Sequence, residues 1–294
     1  MENQKRHLPQ FFTPEVVVRF MFDLVGFNPL WKVMDPACGD GIFLKEALKR
    51  GAGAVAGVDI DLEAIEAARE NLREFEGRFR LFCQDGLAEI ECQSGFWKEH
   101  YDLVIGNPPF ASSKYRVREK RILQHFTLAQ MGDTRRTMIL PGLEKELHPL
   151  KPRPSQVIEV LFLERFIQLA RPGGKVAIIL PEGIFANSNL RYVREWLVEH
   201  FTILAVIGLP RNTFKGTGTT AKTAILYLEK RKPPPNHKVV LAEVTEINLD
   251  SKENPQLAAV LGAFQKENLR TSGQRVEHSD KRQLKLWNGF TLPK

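Results

Sequence analysis

Lys32-Val33-Met34-Asp35-Pro36-Ala37-Cys38-Gly39-Asp40-Gly41 reads as a short apolar strand, Lys32–Met34, that hands over through a glycine loop to a helix spanning Ile42–Arg50. Open α/β sheets bind their ligands outside the carboxyl ends of their strands, and this loop stands at such an end. Ala37, Gly39 and Gly41 are small enough for backbone to approach a ligand and to turn tightly. A dinucleotide site wants GxGxxG with its glycines at the helix N-terminus, and this loop departs from that spacing. Asp35 can accept from an ammonium or from loop amides, which a pyrophosphate would not reward. The loop therefore suits an amino-acid moiety better than phosphates.

Outward from the loop, strands and helices alternate. Ala54–Val58, Phe79–Cys83, Tyr101–Ile105, Val176–Leu180, Ile203–Ile207 and Thr223–Glu229 read as strands. Leu62–Phe75, Gln156–Ala170 and Leu190–His200 read as helices between them. The alternation predicts an α/β fold with a mostly parallel sheet covered on both faces. Upstream, Thr13-Pro14-Glu15 reads as a helix start, with Thr13 as N-cap and Pro14 in the first turn. Downstream, Pro233, Pro234 and Pro235 make Lys230–His237 a stiff linker, followed by a strand at Lys238–Val244 and a helix at Leu257–Asn268. The expected division is a catalytic domain over 1–230, carrying a basic insert at 111–154. A linker and short C-terminal extension follow over 231–294.

The bulk composition narrows the class. Hydrophobic residues make up 43% of the 294, enough for a full core. No apolar run approaches the roughly 20 residues of a membrane span, and MENQKRHLPQ has no apolar signal region. The three cysteines, Cys38, Cys83 and Cys92, form no CxxC pair. That argues against a disulfide scaffold or a cysteine-rich zinc site, implies no metal, and suits a cytoplasmic location. The net charge is +7, which favours a polyanionic partner. Between Ala111 and Pro154 stand ten Lys/Arg against four Asp/Glu, so the surplus is concentrated in the insert. Arg116, Arg118 and Arg121 are its candidates for phosphate contacts.

Two more acids follow strand ends in register with the first loop. Asp59, in Gly57-Val58-Asp59-Ile60-Asp61, is placed to bind ribose hydroxyls, and Asp85, in Gln84-Asp85-Gly86, could accept from an adenine amino group. The most specific signal is Asn107-Pro108-Pro109-Phe110, directly after the apolar end Leu103–Gly106. Two prolines exclude a central strand, so the tetrad lies just past it. An adenine N6 amine is a poor nucleophile because its lone pair is delocalised into the ring. The Asn107 side-chain oxygen and the Pro108 carbonyl could each accept one N6 hydrogen, drawing the nitrogen toward a tetrahedral shape as positive charge develops. Phe110 offers a face for the base. A base in a duplex reaches such a shelf only when flipped out, and Phe214 is the candidate second stacker. No general base is needed before attack.

These motifs resemble the N6-adenine DNA methyltransferases of restriction–modification systems, in the gamma order, and among them the modification subunits of type I systems. QFFTP at Gln10–Pro14 looks like the N-terminal cofactor motif. ARPGGKVAIILPEGIF at Ala170–Phe185 and FKGTGTTAKTAILYLEK at Phe214–Lys230 resemble the later motifs. The resemblance implies a doubly wound, Rossmann-like, seven-stranded sheet with its last strand antiparallel. It implies S-adenosylmethionine held by Phe12, Thr13, Asp35, Ala37, Gly39, Asp59 and Asp85, with Cys38, Ile60 and Gly86 beside them. Asn107, Pro108, Pro109 and Phe110 would hold the target adenine, with Phe214 opposite. It implies double-stranded DNA as substrate. Too few residues follow Lys230 for the large recognition domain of many relatives, so recognition would come from a separate specificity subunit or from a longer parent chain. NPP[FY] also occurs in methyltransferases of RNA bases and of a protein glutamine; QFFTP ahead of the glycine loop resembles the DNA enzymes. A catalytically silent DNA-binding subunit is the remaining alternative, disfavoured because every expected catalytic side chain is present.

Overall fold

The computed structural model describes residues 12–88, 99–110, 115–131, 152–215, 221–251 and 254–271. Gln10, Phe11, most of the 111–154 insert and the tail beyond 271 lie outside the described residues. The chain begins with α1 (Glu15–Val25), then alternates β1 (Val33–Asp35), α2 (Ile42–Lys49), β2 (Val55–Asp59), α3 (Leu62–Leu72), β3 (Phe79–Cys83) and β4 (Tyr101–Gly106). Within the insert lie β5 (Arg116–Val117), α4 (Lys120–Leu123) and α5 (Thr127–Gln130), and β6 (Gln156–Val157) follows just beyond it. Then come α6 (Ile158–Leu169), β7 (Ala170–Pro181), α7 (Gly183–Ala186), α8 (Arg191–His200), β8 (Thr202–Leu209), β9 (Thr223–Glu229), β10 (Val240–Glu243) and α9 (Pro255–Thr271).

The main sheet runs β10-β8-β9-β7-β4-β1-β2-β3. All neighbours are parallel except β9, which is antiparallel to both β7 and β8. Successive crossovers lead from β1 to β2 and β3 on one side, and from β4 to β7 on the other. The strand order therefore reverses between β1 and β4, which opens a crevice above their carboxyl ends. Alternate residues feed two cores. Val33, Leu103, Ile105, Ala177 and Ile179 join α1, α2 and α9 on one face. Met34, Val104, Val176, Ile178 and Leu180 join α6 and α8 on the other. Both faces are thus dry, as a parallel sheet requires. No helix among the described residues is long and apolar enough to cross a membrane.

Three expectations change. The sheet has eight strands rather than seven, because β10 adds beside β8 after the antiparallel β9. Thr202 Oγ1 donates to Arg231 O and Lys232 O, each at 3.1 Å, pinning the chain at the start of β8. The segment then pairs Val240 with Ala205 and ends with Val244 N donating to Gly208 O at 2.8 Å. Leu257, Val260 and Phe264 of α9 enter the same core, so the boundary expected at Lys230 falls inside one sheet. Second, the Leu62–Phe75 helix divides: α3 stops at Leu72 and Arg73–Phe75 form a 3₁₀ turn. Third, Thr13 does not cap α1. Pro14 (φ −58°, ψ 137°) precedes its first residue, and no side chain caps it.

Candidate active site

Three loops leave the carboxyl ends of β1, β2 and β3 and are tied together by backbone. Cys38 N donates to Val58 O at 2.8 Å, and Gln84 N donates to Asp59 O at 2.8 Å. Asp59 closes the arrangement: its Oδ2 accepts from Gly39 N at 2.8 Å and its Oδ1 from Asp61 N at 3.0 Å. Gly39 (φ +53°) and Gly41 (φ +81°) hold left-handed backbone that other residues adopt at a cost. Gly86 permits the third loop to meet the first, since a Cβ there would sit 2.1 Å from Pro36 O. Asp85 is turned to its own loop, with Oδ1 accepting from Leu87 N at 2.9 Å.

Asp35 is 1% exposed and its Oδ1 accepts from Ala37 N at 3.0 Å. Burial, opposed by the Ala37 amide and reinforced by the nearby Asp59 and Asp40 carboxylates, pushes its pKa up to about 8. Burial also raises Asp59 and Asp40. Three carboxyl groups crowd around the ends of β1 and β2, and Lys45 offsets the charge of Asp40. Such a cradle favours a cationic ligand. Gly39 adds open space, with nothing within 4 Å of where a Cβ would stand. Ile60, 39% exposed, and Phe12, 57% exposed, offer apolar surface. An acidic, glycine-lined cradle with apolar surface fits S-adenosylmethionine: Asp35 has the right chemistry for its ammonium, Asp59 for its ribose, and Ile60 for its adenine.

Cys38, expected beside the cofactor, turns its side chain into the core. Its amide bonds Val58 O, its carbonyl accepts from Gly41 N at 2.8 Å, and its side chain is buried in the core. A Cβ on Gly57 would lie 2.9 Å from its Sγ, so Cys38 packs the loop onto β2.

β4 brings the tetrad to the same crevice. A Cβ on Gly106 would stand 2.5 Å from Asp35 Oδ1, so only a glycine lets the end of β4 lie against that carboxylate. Asn107 follows directly. Its Nδ2 donates to Thr13 Oγ1 at 3.1 Å, across 94 residues of sequence, and its Oδ1 is buried. Pro108 is buried and Pro109 half-buried. Phe110 and Phe214 do meet, with centroids 6.3 Å apart and planes at 79°. This is an edge-to-face contact, not the expected parallel slot: both rings are buried and no base-thick gap separates them. The Phe214 turn is held by Thr213 Oγ1 and Thr213 N, both donating to Pro210 O, at 2.7 and 3.1 Å.

Among the basic residues, Arg118 and Arg121 are exposed as expected. Arg116 is engaged: its Nε donates to Ser155 Oγ at 2.8 Å and its Nη2 to Ser155 O at 3.0 Å, bracing β5 against the chain entering β6. Sequence reasoning missed Arg211 and Lys215, exposed on either side of Phe214. Their flanking of an expected stacker was the available signal. It also missed Gly106, and Arg165 of α6. Arg165 is fully buried, with its guanidinium over the Phe126 ring and its Nη2 donating to Leu87 O at 2.9 Å beneath the third loop. Nothing in the helical pattern marks it.

Residues 1–260 match the model of the N-6 DNA Methylase family. The Escherichia coli type I restriction enzyme EcoEI methylase subunit is 23% identical, over 76% of this chain and 43% of that one. The MjaVII methylase subunit of Methanocaldococcus jannaschii is 26% identical, over 86% of this chain and 42% of its own length. The chain thus spans about two fifths of the length of these curated relatives. Among solved structures, the type I restriction-modification methyltransferase subunit of Streptococcus thermophilus superposes with a TM-score of 0.65 at 21% identity, covering 93% of this chain and 55% of that one, and it shares the fold. With the glycine loop, the acidic strand ends and the NPPF tetrad in one crevice, the match over 1–260 settles membership: the chain belongs to the N-6 DNA methylase family.

Proposed function

We propose that this chain is the catalytic part of a DNA methyltransferase that places a methyl group on the N6 amine of a flipped-out adenine. The observation that carries the reading is the adjacency of two sites. The NPPF tetrad leaves β4 directly after Gly106, which lies against Asp35 of the cofactor cradle. S-adenosylmethionine, when bound, supplies a methyl group on a positively charged sulfur. Asn107 Oδ1 and the Pro108 carbonyl accept the two N6 hydrogens and so expose the nitrogen lone pair. As the N6–methyl bond would form and the sulfur–methyl bond break, leaving a neutral thioether, positive charge would grow on N6, and the same two acceptors would stabilise it. One N6 proton then leaves to water. Phe110 and Phe214 supply aromatic surface for the base, with the edge-to-face pair opening to admit it.

Arg118, Arg121, Arg211 and Lys215 are assigned to DNA phosphates. Among the described residues none of the four enters an ion pair, which leaves their charge available to a polyanion. Sequence choice is assigned to a partner specificity subunit or to a recognition region beyond this chain; the relatives named methylase subunits support assembly with other subunits.

The test is incubation with methyl-labelled S-adenosylmethionine and genomic DNA, followed by nucleoside analysis, with RNA and a glutamine-bearing protein substrate in parallel. Label in N6-methyladenine from DNA is the expected result. Label confined to RNA or protein, or no transfer at all with cofactor bound, removes the assignment.

A further inference from the structure

We infer that Thr13, which the family resemblance places among the cofactor contacts, is instead a positioning residue for the catalytic amide of Asn107, and that its contribution is to turnover rather than to cofactor affinity. This rests on the adenine-methylation reading. A carboxamide presents an oxygen and an amino group of nearly equal size on a plane that rotates about one bond. Turned one way it accepts from the N6 amine; turned across the pocket it accepts from nothing there. The amide plane therefore has to be held before the base arrives.

Thr13 is built to hold it. The residue is 5% exposed, and its Oγ1 lies 3.1 Å from Asn107 Nδ2. Pro14 restricts the backbone of the residue before it to an extended form. Pro14 O in turn accepts from Val17 N at 2.9 Å and Val18 N at 3.1 Å, locking the entry to α1. Val17 and Met21 of that helix are fully buried against the sheet. The hydroxyl is thus mounted on the core rather than on a loose N-terminal strand. A hydroxyl can serve either amide atom, so it fixes the plane of Asn107. An incoming amine, which offers only hydrogens at that point, then selects the oxygen limb. Without a cap to make on α1, this bond is the polar role the structure gives the Thr13 side chain.

The experiment compares Thr13→Val, which keeps the shape and deletes the hydroxyl, with Thr13→Ser, which keeps the hydroxyl. Turnover at saturating DNA and cofactor, KM for DNA, and Kd for S-adenosylmethionine by calorimetry are measured on each. Thr13→Val is expected to lower kcat about ten- to a hundredfold, the order of loss when one hydrogen bond that orients a catalytic group is deleted. Its cofactor Kd stays within about threefold, and Thr13→Ser restores most of kcat. Thr13→Ala, which only removes atoms, is the companion variant should the valine disturb folding, and thermal melts are run on all three. Unchanged kcat in both hydroxyl-less variants overturns the inference, as does a weakened cofactor Kd with kcat at saturation intact. If wild type itself transfers no methyl to DNA, the functional reading fails first, which separates the two failures.

Discussion

The two halves of the sheet are put together differently. The half proposed to hold the cofactor, β1 to β3, is local: Asp35 and Asp59 end their own strands, Asp85 follows its own, and one backbone bond per step links the loops. The half proposed to hold the target base is assembled from far-separated chain. Asn107 meets Thr13 across 94 residues, and Phe110 meets Phe214 from beyond β8. The first half is acidic and glycine-rich; the second presents amide, proline, aromatic and basic groups. Local construction makes a site readable strand by strand, whereas assembled construction hides its partners until the chain is folded.

If the halves are separable in energy, substitutions should damage one without the other. The largest effect is expected from Asn107→Ala, which should cut kcat about a hundred- to a thousandfold with cofactor Kd unchanged by calorimetry. A parallel loss of cofactor binding would break the separation. Next comes Asp35→Asn, which should weaken cofactor binding about ten- to a hundredfold. It should also flatten a pH dependence. The folded pKa of Asp35 is raised to about 8 from an ordinary 3.8, so the fold favours the protonated acid. That contribution is complete below about 3.8 and is lost as pH rises through about 8. The melting temperature of the ligand-free wild type should therefore fall between about pH 4 and about pH 8 and level off above, and that of Asp35→Asn should fall less.

A smaller effect is expected at the rim. Replacing Arg118, Arg121, Arg211 and Lys215 by Gln should reduce the slope of log affinity for DNA against log salt by about one for each phosphate no longer neutralised. An unchanged slope would remove these residues from the interface. The smallest is a control at the opposite end of the sheet, where cations are already paired. Arg171 Nε lies 2.6 Å from Asp102 Oδ1, and Lys230 Nζ 3.1 Å from Glu99 Oε1. Arg171→Met should cost less than about 1 kcal/mol in a denaturant melt, the Arg171 side chain being half exposed, and should leave methylation unaltered.

What can be read from sequence follows the same division. Phe79–Cys83 and Thr223–Glu229 are strands with the predicted bounds, because short β-rich runs between turns specify themselves. The parallel sheet and its crevice follow from alternation alone. The strand at Lys238–Val244 is legible as β10, but its place in the main sheet is not, since the prolines before it suggest a linker while the chain turns back to pair with β8. The Thr13 partner, the Arg116 brace and the Phe110–Phe214 edge contact depend on long-range packing that no local pattern carries. Cys38 looks like a cofactor neighbour because it sits in the glycine loop, but the bare Gly57 next door draws its sulfur inward.

The glycine at position 106 has a pharmacological consequence. With no side chain tolerated there, the end of β4 lies against the Asp35 carboxylate, so the proposed cofactor and target compartments meet at this one residue. A compound joining an amino-acid head to a purine through a tether of a few atoms would reach both compartments at once. Its second half would then bind at high effective concentration, so the pair should inhibit far more strongly than either fragment alone.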